Sequence, residues 1–252
     1  EHYETIRLFR LALDAKKVRN VEVGRGLYWP SLSGFDAVIT VGGDGTVLEA
    51  SHHIQDASVP LFGIRSSSYS VGHLCAYSAN DLEFGIEHLQ KKTLNIVQVS
   101  RIRAQISYQW SGGTQTTDPV LNDFLFCNPS PAVTSRYKLI INGEEEEQRS
   151  SGIWLATASG STAAINAAGG NIYPMGSEGF QYLVRELYRP IAANAKFSVG
   201  LVDPNSFSQF IIENRMNKAM LAIDGQHGRI SLSFGDQVRI EMAKPLCLVR
   251  SK

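Results

Sequence analysis

The segment Gly42-Gly-Asp-Gly-Thr46 constrains the fold most, because it joins a predicted buried strand to a predicted helix. Residues 36–41 form a short apolar run with β-branched side chains, which is typical of a strand buried on both faces. Residues 47–54 have the apolar spacing of a helix, and a second apolar run follows at 59–64. The order strand, loop, helix, strand predicts a parallel α/β unit with helices on its faces.

The glycines of this segment suit it to binding phosphate. A backbone without Cβ atoms permits close approach and positive φ, and the N–H groups at a helix N-terminus favour an anion. An exposed carboxylate beside bound phosphates accepts a proton from a hydroxyl nucleophile or helps to hold Mg²⁺. The alternative is a plain turn that contains an aspartate. We predict that the phosphate-binding residues are Gly42, Gly43, Gly45 and Thr46 and that the catalytic residue is Asp44.

After residue 94 the pattern changes from α/β to mostly strand. β-branched and aromatic residues alternate with polar ones over 96–108, and turn residues separate several later apolar runs. Further strands are predicted over 120–126, 136–142, 152–157, 220–223, 228–234 and 237–241. We predict a parallel α/β domain over 1–95, a mainly antiparallel β-rich domain over 96–235, and a segment over 236–252 that returns to the first domain. The acidic run 144–147 predicts a solvated hairpin turn, with a catalytic carboxylate cluster as the weaker alternative.

A second candidate loop, Ala158-Ser-Gly-Ser-Thr162, lies between the predicted strand 152–157 and a predicted small-residue helix over 163–168. This order repeats the first arrangement. Its hydroxyl groups can cap the helix or contact a sugar or phosphate, and capping explains one of them rather than three. The pair Asn122-Asp123, at another apolar strand, suits the two hydroxyl groups of a ribose.

Composition excludes several classes of function. The chain has 252 residues with 24 Lys+Arg and 24 Asp+Glu, so it has no net basic field for nucleic acid or anionic membrane. Its apolar runs are far shorter than the roughly 20 residues that cross a bilayer. Three widely spaced cysteines without a CxxC motif predict neither a disulfide framework nor a metal centre, and they favour the reducing cytoplasm. Because the first residue is Glu1, removal of an upstream targeting segment is the alternative.

Together, these motifs resemble the NAD kinase family, which includes ATP-NAD kinases and NADH kinases. The Gly-Gly-Asp-Gly loop alone is shared with phosphofructokinases and with diacylglycerol and sphingosine kinases, whereas its combination with Thr-x-x-Gly-Ser-Thr-Ala is highly specific. The resemblance implies an α/β domain followed by a β-rich domain with the dinucleotide between them, in a homodimer or homotetramer. The matching segments are Gly42–Thr46, Asn122-Asp123, Arg149 with Gly152, Thr157 with Gly160–Ala163, Gly169-Gly170 and Asp224.

The family's reaction transfers the γ-phosphoryl group of ATP, with Mg²⁺ or another divalent cation, to the 2′-hydroxyl of the adenosine ribose of NAD⁺ or NADH. No tightly bound prosthetic group is implied. Asp44 matches the family's proton acceptor. Residues that match dinucleotide contacts are Asp44, Gly45, Asn122, Asp123, Arg149, Ser159, Thr162, Ala163, Asp224 and Gln226. A lipid kinase and a nucleotide-binding protein without catalysis are the alternatives.

The chain departs from the family pattern in several places. Ser151 replaces the usual Asp and Ala164 the usual Tyr near the nicotinamide, and Arg65 replaces the usual Asn after Gly-Ile. The segment Ser70-Val-Gly-His-Leu-Cys75 replaces the usual Gly-x-Leu-Gly-Phe-Leu. Loss of the acid makes the site less suited to the cationic ring of NAD⁺. We therefore expect NADH to be accepted at least comparably, and the motif variants are closest to the plant NADH kinase and mitochondrial NAD kinase branch.

Overall fold

The computed structural model describes residues 1–24, 26–55, 58–188, 190, 195–204 and 209–251. They fall into two compact units, Glu1–Gln98 with Leu246–Lys252 and Val99–Pro245. The helices are α1 His2–Ala15, α2 Asp44–His53, α3 Leu82–Gln90 and α4 Ala164–Ala167. The strands are β1 Val38–Gly42, β2 Leu61–Arg65, β3 Tyr77–Ser78, β4 Ile96–Ser107, β5 Thr114–Thr116, β6 Asp123–Cys127, β7 Ser135–Ile141, β8 Glu144–Ser150, β9 Ile153–Thr157, β10 Phe180–Val184, β11 Val199–Val202, β12 Phe210–Asn214, β13 Ala219–Ile223, β14 Gly228–Leu232 and β15 Gln237–Val249. None of the helices in these ranges is long and apolar enough to span a membrane.

The first unit is built on parallel strands. β1 pairs with β2 and β2 with β3, and Leu248 near the end of β15 pairs in parallel with Leu61. One face of β2 presents Phe62 and Ile64 to a core shared with α1 and α3. The opposite face carries α2, since a Cβ atom on Gly63 would lie 2.9 Å from Val47 Cγ2. The predicted parallel α/β unit with helices on both faces is confirmed.

The second unit is built on antiparallel strands. One sheet has the order β11-β10-β9-β6-β13-β14, and the other strands include the series β15-β12-β7-β8, with β4 beside β15 and antiparallel to β5. Large apolar side chains of both groups, among them Phe126, Tyr137, Leu155 and Phe210, are fully buried in one core. The predicted antiparallel, β-rich second half is confirmed.

The elements after β9 follow the predicted order of strand, loop and helix, but the helix is shorter than predicted. A 3-10 turn, Ser159–Thr162, leads into α4, which has four residues instead of the predicted six. The Ser161 hydroxyl donates to the Ala158 carbonyl at 2.7 Å and accepts the N–H of Tyr173 at 3.0 Å. These local bonds compete with helix formation and fold the chain back.

The acidic run 144–147 lies in a strand and not in the predicted hairpin turn. The turn itself is Asn142-Gly143, whose φ angles of 53° and 83° are left-handed, as in tight hairpins. The four glutamates belong to β8, where Glu144 pairs with Lys196 at 3.0 Å and Glu145 with Lys138 at 2.8 Å. Lysine partners therefore account for part of this charge without a catalytic role.

Candidate active site

The phosphate loop, Gly42–Thr46, connects β1 to α2. Gly43 is the N-cap of α2, and no side chain caps this end, so the first N–H groups of the helix lack a side-chain acceptor. A Cβ atom at Gly42 would collide with Thr46 Oγ1, and one at Gly43 would lie 2.6 Å from Ser70 Oγ. At Gly45 a Cβ atom would meet nothing within 4 Å. The loop therefore needs its first two glycines for packing, whereas the space over Gly45 is open to a ligand.

Asp44 is half-buried rather than exposed, and a neighbouring segment fixes its carboxylate. Oδ2 accepts the backbone N–H of His73 at 3.0 Å, and Oδ1 accepts that of Leu74 at 2.7 Å. Arg250 in turn donates to the His73 carbonyl. Each carboxylate oxygen has two lone pairs, so one N–H per oxygen orients the group and leaves it able to accept a further proton.

Cys75, which follows this segment, lies near several charged side chains. Burial and, secondarily, the charge of Asp44 raise the pKa of its thiol to about 11, although Arg65 and Arg250 act to lower it. The thiol is therefore protonated at neutral pH, and it lies within the electrostatic range of one acid and two arginines.

In the second unit, the start of β6 and the end of β9 meet. Thr157 donates its N–H to the Asn122 carbonyl at 2.9 Å and its hydroxyl to the Leu121 carbonyl at 2.5 Å. A Cβ atom at Gly160 would collide with the Asn122 carbonyl oxygen. The structure thus brings Asn122 and Asp123 together with the Ser159–Thr162 turn.

Asp224 holds the backbone of this cluster. Its carboxylate accepts the N–H groups of Leu121 at 3.2 Å, Asn122 at 2.9 Å and Asp123 at 3.0 Å, and its own N–H donates to the Asp123 carbonyl at 3.0 Å. Its φ of 41° lies in the left-handed region. Such a conformation is costly for a residue other than glycine and persists where the surroundings fix it.

Asp123 lies beside this buried carboxylate. Burial and, secondarily, the charge of Asp224 raise the pKa of Asp123 to about 7. Near neutral pH the Asp123 carboxyl group is therefore able to donate a hydrogen bond or to accept one.

Two buried polar atoms of the cluster have no hydrogen-bond partner among the described residues. They are Asn122 Oδ1 and Ser159 Oγ, and the Ser159 side chain belongs to a residue that is only 3% exposed. Buried polar atoms are almost always hydrogen-bonded, because an unmet group costs about 1–3 kcal/mol. A polar ligand with donor groups would satisfy both.

Other predicted residues lie elsewhere in the second unit or at its surface. Arg149 is exposed on β8, opposite Arg136 of β7 in the antiparallel register. Ser151 precedes β9, and Thr157 lies at the other end of that strand. Thr162 is exposed and Ala163 half-buried after the Ser159 turn, and Gln226 is exposed in the turn between β13 and β14. The sequence did not point to the His73-Leu74 segment that holds Asp44; its only signal was the motif variation around Gly72.

Known proteins provide an independent comparison. A family model described as the ATP-NAD kinase N-terminal domain matches residues 31–93. The chain is 32% identical to a probable NADH kinase of Oryza sativa subsp. japonica, over 98% of this chain and 81% of that protein. It is 31% identical to an NADH kinase of Arabidopsis thaliana, over 97% of this chain and 82% of the relative.

Two solved structures share the fold. One is yeast NADH kinase complexed with NADH, with a TM-score of 0.75 and 19% identity over 86% of this chain; the match spans 62% of the yeast chain, less than two thirds of its length. The other is an NAD kinase from Archaeoglobus fulgidus in complex with ATP, with a TM-score of 0.76 and 23% identity over 98% of this chain and 90% of that chain.

Proposed function

The chain belongs to the NAD kinase family, and we propose that it phosphorylates the 2′-hydroxyl of the adenosine ribose of NAD⁺ or NADH with ATP, giving NADP(H). The observation that carries this proposal is the pair of unpartnered buried atoms, Asn122 Oδ1 and Ser159 Oγ. They lie in the two segments that match the family's dinucleotide contacts. An adenosine offers amine and hydroxyl donors to such acceptors.

The chemistry follows from the phosphate loop. The 2′-oxygen bonds to the γ-phosphorus, the bond to the bridging oxygen breaks, and ADP leaves with that electron pair. The proton of the 2′-hydroxyl passes to Asp44, whose oxygens are each engaged by one backbone N–H. Orientation by these two N–H groups keeps the carboxylate in place without neutralising it.

We propose that a divalent cation arrives with ATP. No group of three or more His, Cys, Asp or Glu in the described ranges could hold a metal ion. Mg²⁺ commonly keeps several waters and is bound through one or two carboxylates plus substrate phosphates. The residues of the phosphate loop fit that mode, with Asp44 as the available carboxylate, and the cation would shield the charge of the transferring group.

Two features favour NADH as an acceptor. The two plant relatives are named as NADH kinases, and Ser151 lacks the acid that would favour a cationic nicotinamide. We further propose a homodimer or homotetramer in the cytoplasm. The family resemblance supports the assembly, and three widely spaced cysteines without a CxxC motif support the reducing compartment.

The direct experiment supplies ATP and Mg²⁺ with NAD⁺, NADH or diacylglycerol in parallel and measures the phosphorylated products. NADP(H) formation is the expected result. Phosphorylation of the lipid without that of the dinucleotide would assign the chain to the lipid kinases. Tight dinucleotide binding with no NADP(H) would make it a non-catalytic binding protein.

Gly45→Ala provides a sharper test of the phosphate loop. The added methyl group meets no protein atom within 4 Å, and alanine in a helix is about 0.5–1 kcal/mol more favourable than glycine. The variant should therefore melt at a higher temperature and yet bind ATP less tightly, because the methyl group occupies the space of the phosphates. Gly113→Ala, whose Cβ atom would lie 3.3 Å from Ser111 Oγ, is the control. Unchanged ATP binding in Gly45→Ala would contradict the phosphate-binding role.

A further inference from the structure

Arg65 ends β2 directly beside the phosphate loop. In the parallel register of β1 and β2, Arg65 is the partner of Gly42, the first residue of that loop. The Ser66 N–H donates to the Gly42 carbonyl at 3.0 Å, so the pairing continues past the end of the strand. Neighbouring strands lie about 4.8 Å apart, a distance that an arginine side chain easily spans.

The Arg65 side chain lies on the face of the sheet that carries α2. Side chains alternate along a strand; Phe62 and Ile64 enter the core shared with α1 and α3, whereas Gly63 faces Val47 of α2. Arg65 therefore shares the face on which α2 begins. Its aliphatic stem is packed against Gly72, where a Cβ atom would lie 2.5 Å from Arg65 Cδ.

The charge of Arg65 is not used by the protein itself. The guanidinium makes no hydrogen bond or ion pair with any residue in the described part of the chain, although the side chain is half-buried. Arg250, the other arginine that acts on Cys75, differs because it donates to the His73 carbonyl. Arg65 is thus a cation at the loop with its donors available.

A phosphate site at this loop needs such a cation. The segment Gly42–Thr46 contains neither Lys nor Arg, whereas P-loops carry a lysine that reaches the β- and γ-phosphates. The planar guanidinium presents paired N–H donors that match phosphate oxygens in a bidentate manner. We propose that Arg65 binds the phosphate chain of the phosphoryl donor at the phosphate loop; this inference rests on the proposed function.

A pyrophosphate of the dinucleotide acceptor has the same chemistry. The phosphoryl donor is favoured because Arg65 lies at the end of β2 that is paired with the start of the phosphate loop. The unpartnered atoms that suit the acceptor belong instead to the Asn122 and Ser159 segments. An experiment with separate donor and acceptor arms distinguishes the two sources.

The test uses the full chain and calorimetry with three probes: Mg·ATP, inorganic tripolyphosphate and NADH. Arg65→Gln keeps most of the aliphatic stem against Gly72 and removes the charge. We expect it to weaken ATP and tripolyphosphate binding about 10- to 100-fold, as for lost charge-assisted hydrogen bonds, and to leave NADH binding unchanged. Arg19→Gln, at an exposed arginine, should change none of the three. Unchanged tripolyphosphate binding in Arg65→Gln would overturn the proposal, and an equal loss for NADH would move Arg65 to the acceptor.

Arg65→Lys covers the case in which the glutamine variant does not fold, which a thermal melt reveals. Lysine keeps the charge but loses the bidentate fork, so the Kd for tripolyphosphate, measured by the same calorimetry, should rise several-fold while the Kd for NADH stays constant. Equal Kd values for tripolyphosphate in the lysine variant and the parent would count against the proposal. These binding arms do not require turnover: if the parent forms no NADP(H), the proposed function fails, whereas the Arg65 inference fails only if its tripolyphosphate arm does.

Discussion

Replacing Asp44 with Asn separates the proposed proton-accepting role of this side chain from its structural role. In the parent the two carboxylate oxygens accept the N–H groups of His73 and Leu74 at 3.0 and 2.7 Å. The amide oxygen of the variant can still accept one of them, but its NH₂ group faces the other. The variant therefore leaves one backbone donor unmet and removes the base in a single step.

The two losses differ in size. His73 is exposed and Leu74 is buried, so the structural cost should be near the lower end of the range for an unmet donor, about 1 kcal/mol. For a chain of this size that corresponds to a fall in Tm of roughly 2–4 °C. Loss of a general base lowers turnover by about 10²- to 10⁴-fold, or about 3–5 kcal/mol in activation free energy. A loss of about 1 kcal/mol in stability cannot account for such a large fall in turnover.

The assay combines NADP(H) formation, a thermal melt and NADH binding by calorimetry. Asp236→Asn is a matched control, because each carboxylate oxygen of Asp236 also accepts one backbone N–H, that of Gln109 at 2.9 Å and that of Ser233 at 2.7 Å. It should cost at least as much stability and leave turnover intact. Near-normal turnover in Asp44→Asn, or an equal loss in the control, would refute the argument that Asp44 is the base.

Three further predictions concern the second unit and the assembly. Burial and Asp224 raise the pKa of Asp123 to about 7, whereas the unfolded chain loses this proton near pH 4. The free energy of unfolding should therefore fall as the pH rises from about 4 to about 7. Asp123→Asn should flatten that fall in denaturant unfolding at pH 5 and 8, and equal slopes would contradict the assigned titration. Gly160→Ala should lower the free energy of unfolding by about 1–3 kcal/mol and weaken NADH binding, because its methyl group collides with the Asn122 carbonyl. Gly113→Ala is the control, and a Gly160→Ala variant as stable as the parent would contradict this contact. Sedimentation at micromolar concentration should show a dimer or tetramer, and a monomer would contradict the proposed assembly.

The first unit could be predicted because its signals are local. The apolar runs that become β1 and β2 flank a glycine loop whose turn is encoded within five residues. By contrast, the contact between Asp44 and Leu74 joins positions 30 residues apart, and that between Thr157 and Leu121 joins positions 36 apart. No periodicity encodes such pairs, since they depend on how the strands are ordered in the folded sheets.

Asp224 illustrates why a motif identifies a position more readily than a role. The family resemblance marked it as a dinucleotide contact, and its carboxylate in fact accepts three backbone N–H groups of residues 121–123. These bonds show that Asp224 fixes the segment, and its contact with the dinucleotide stays a prediction. The unpartnered atoms Asn122 Oδ1 and Ser159 Oγ are the ones that we propose for the ligand. The sequence marks the positions of a motif, but the atoms that the protein leaves without partners are known only once the chain is folded.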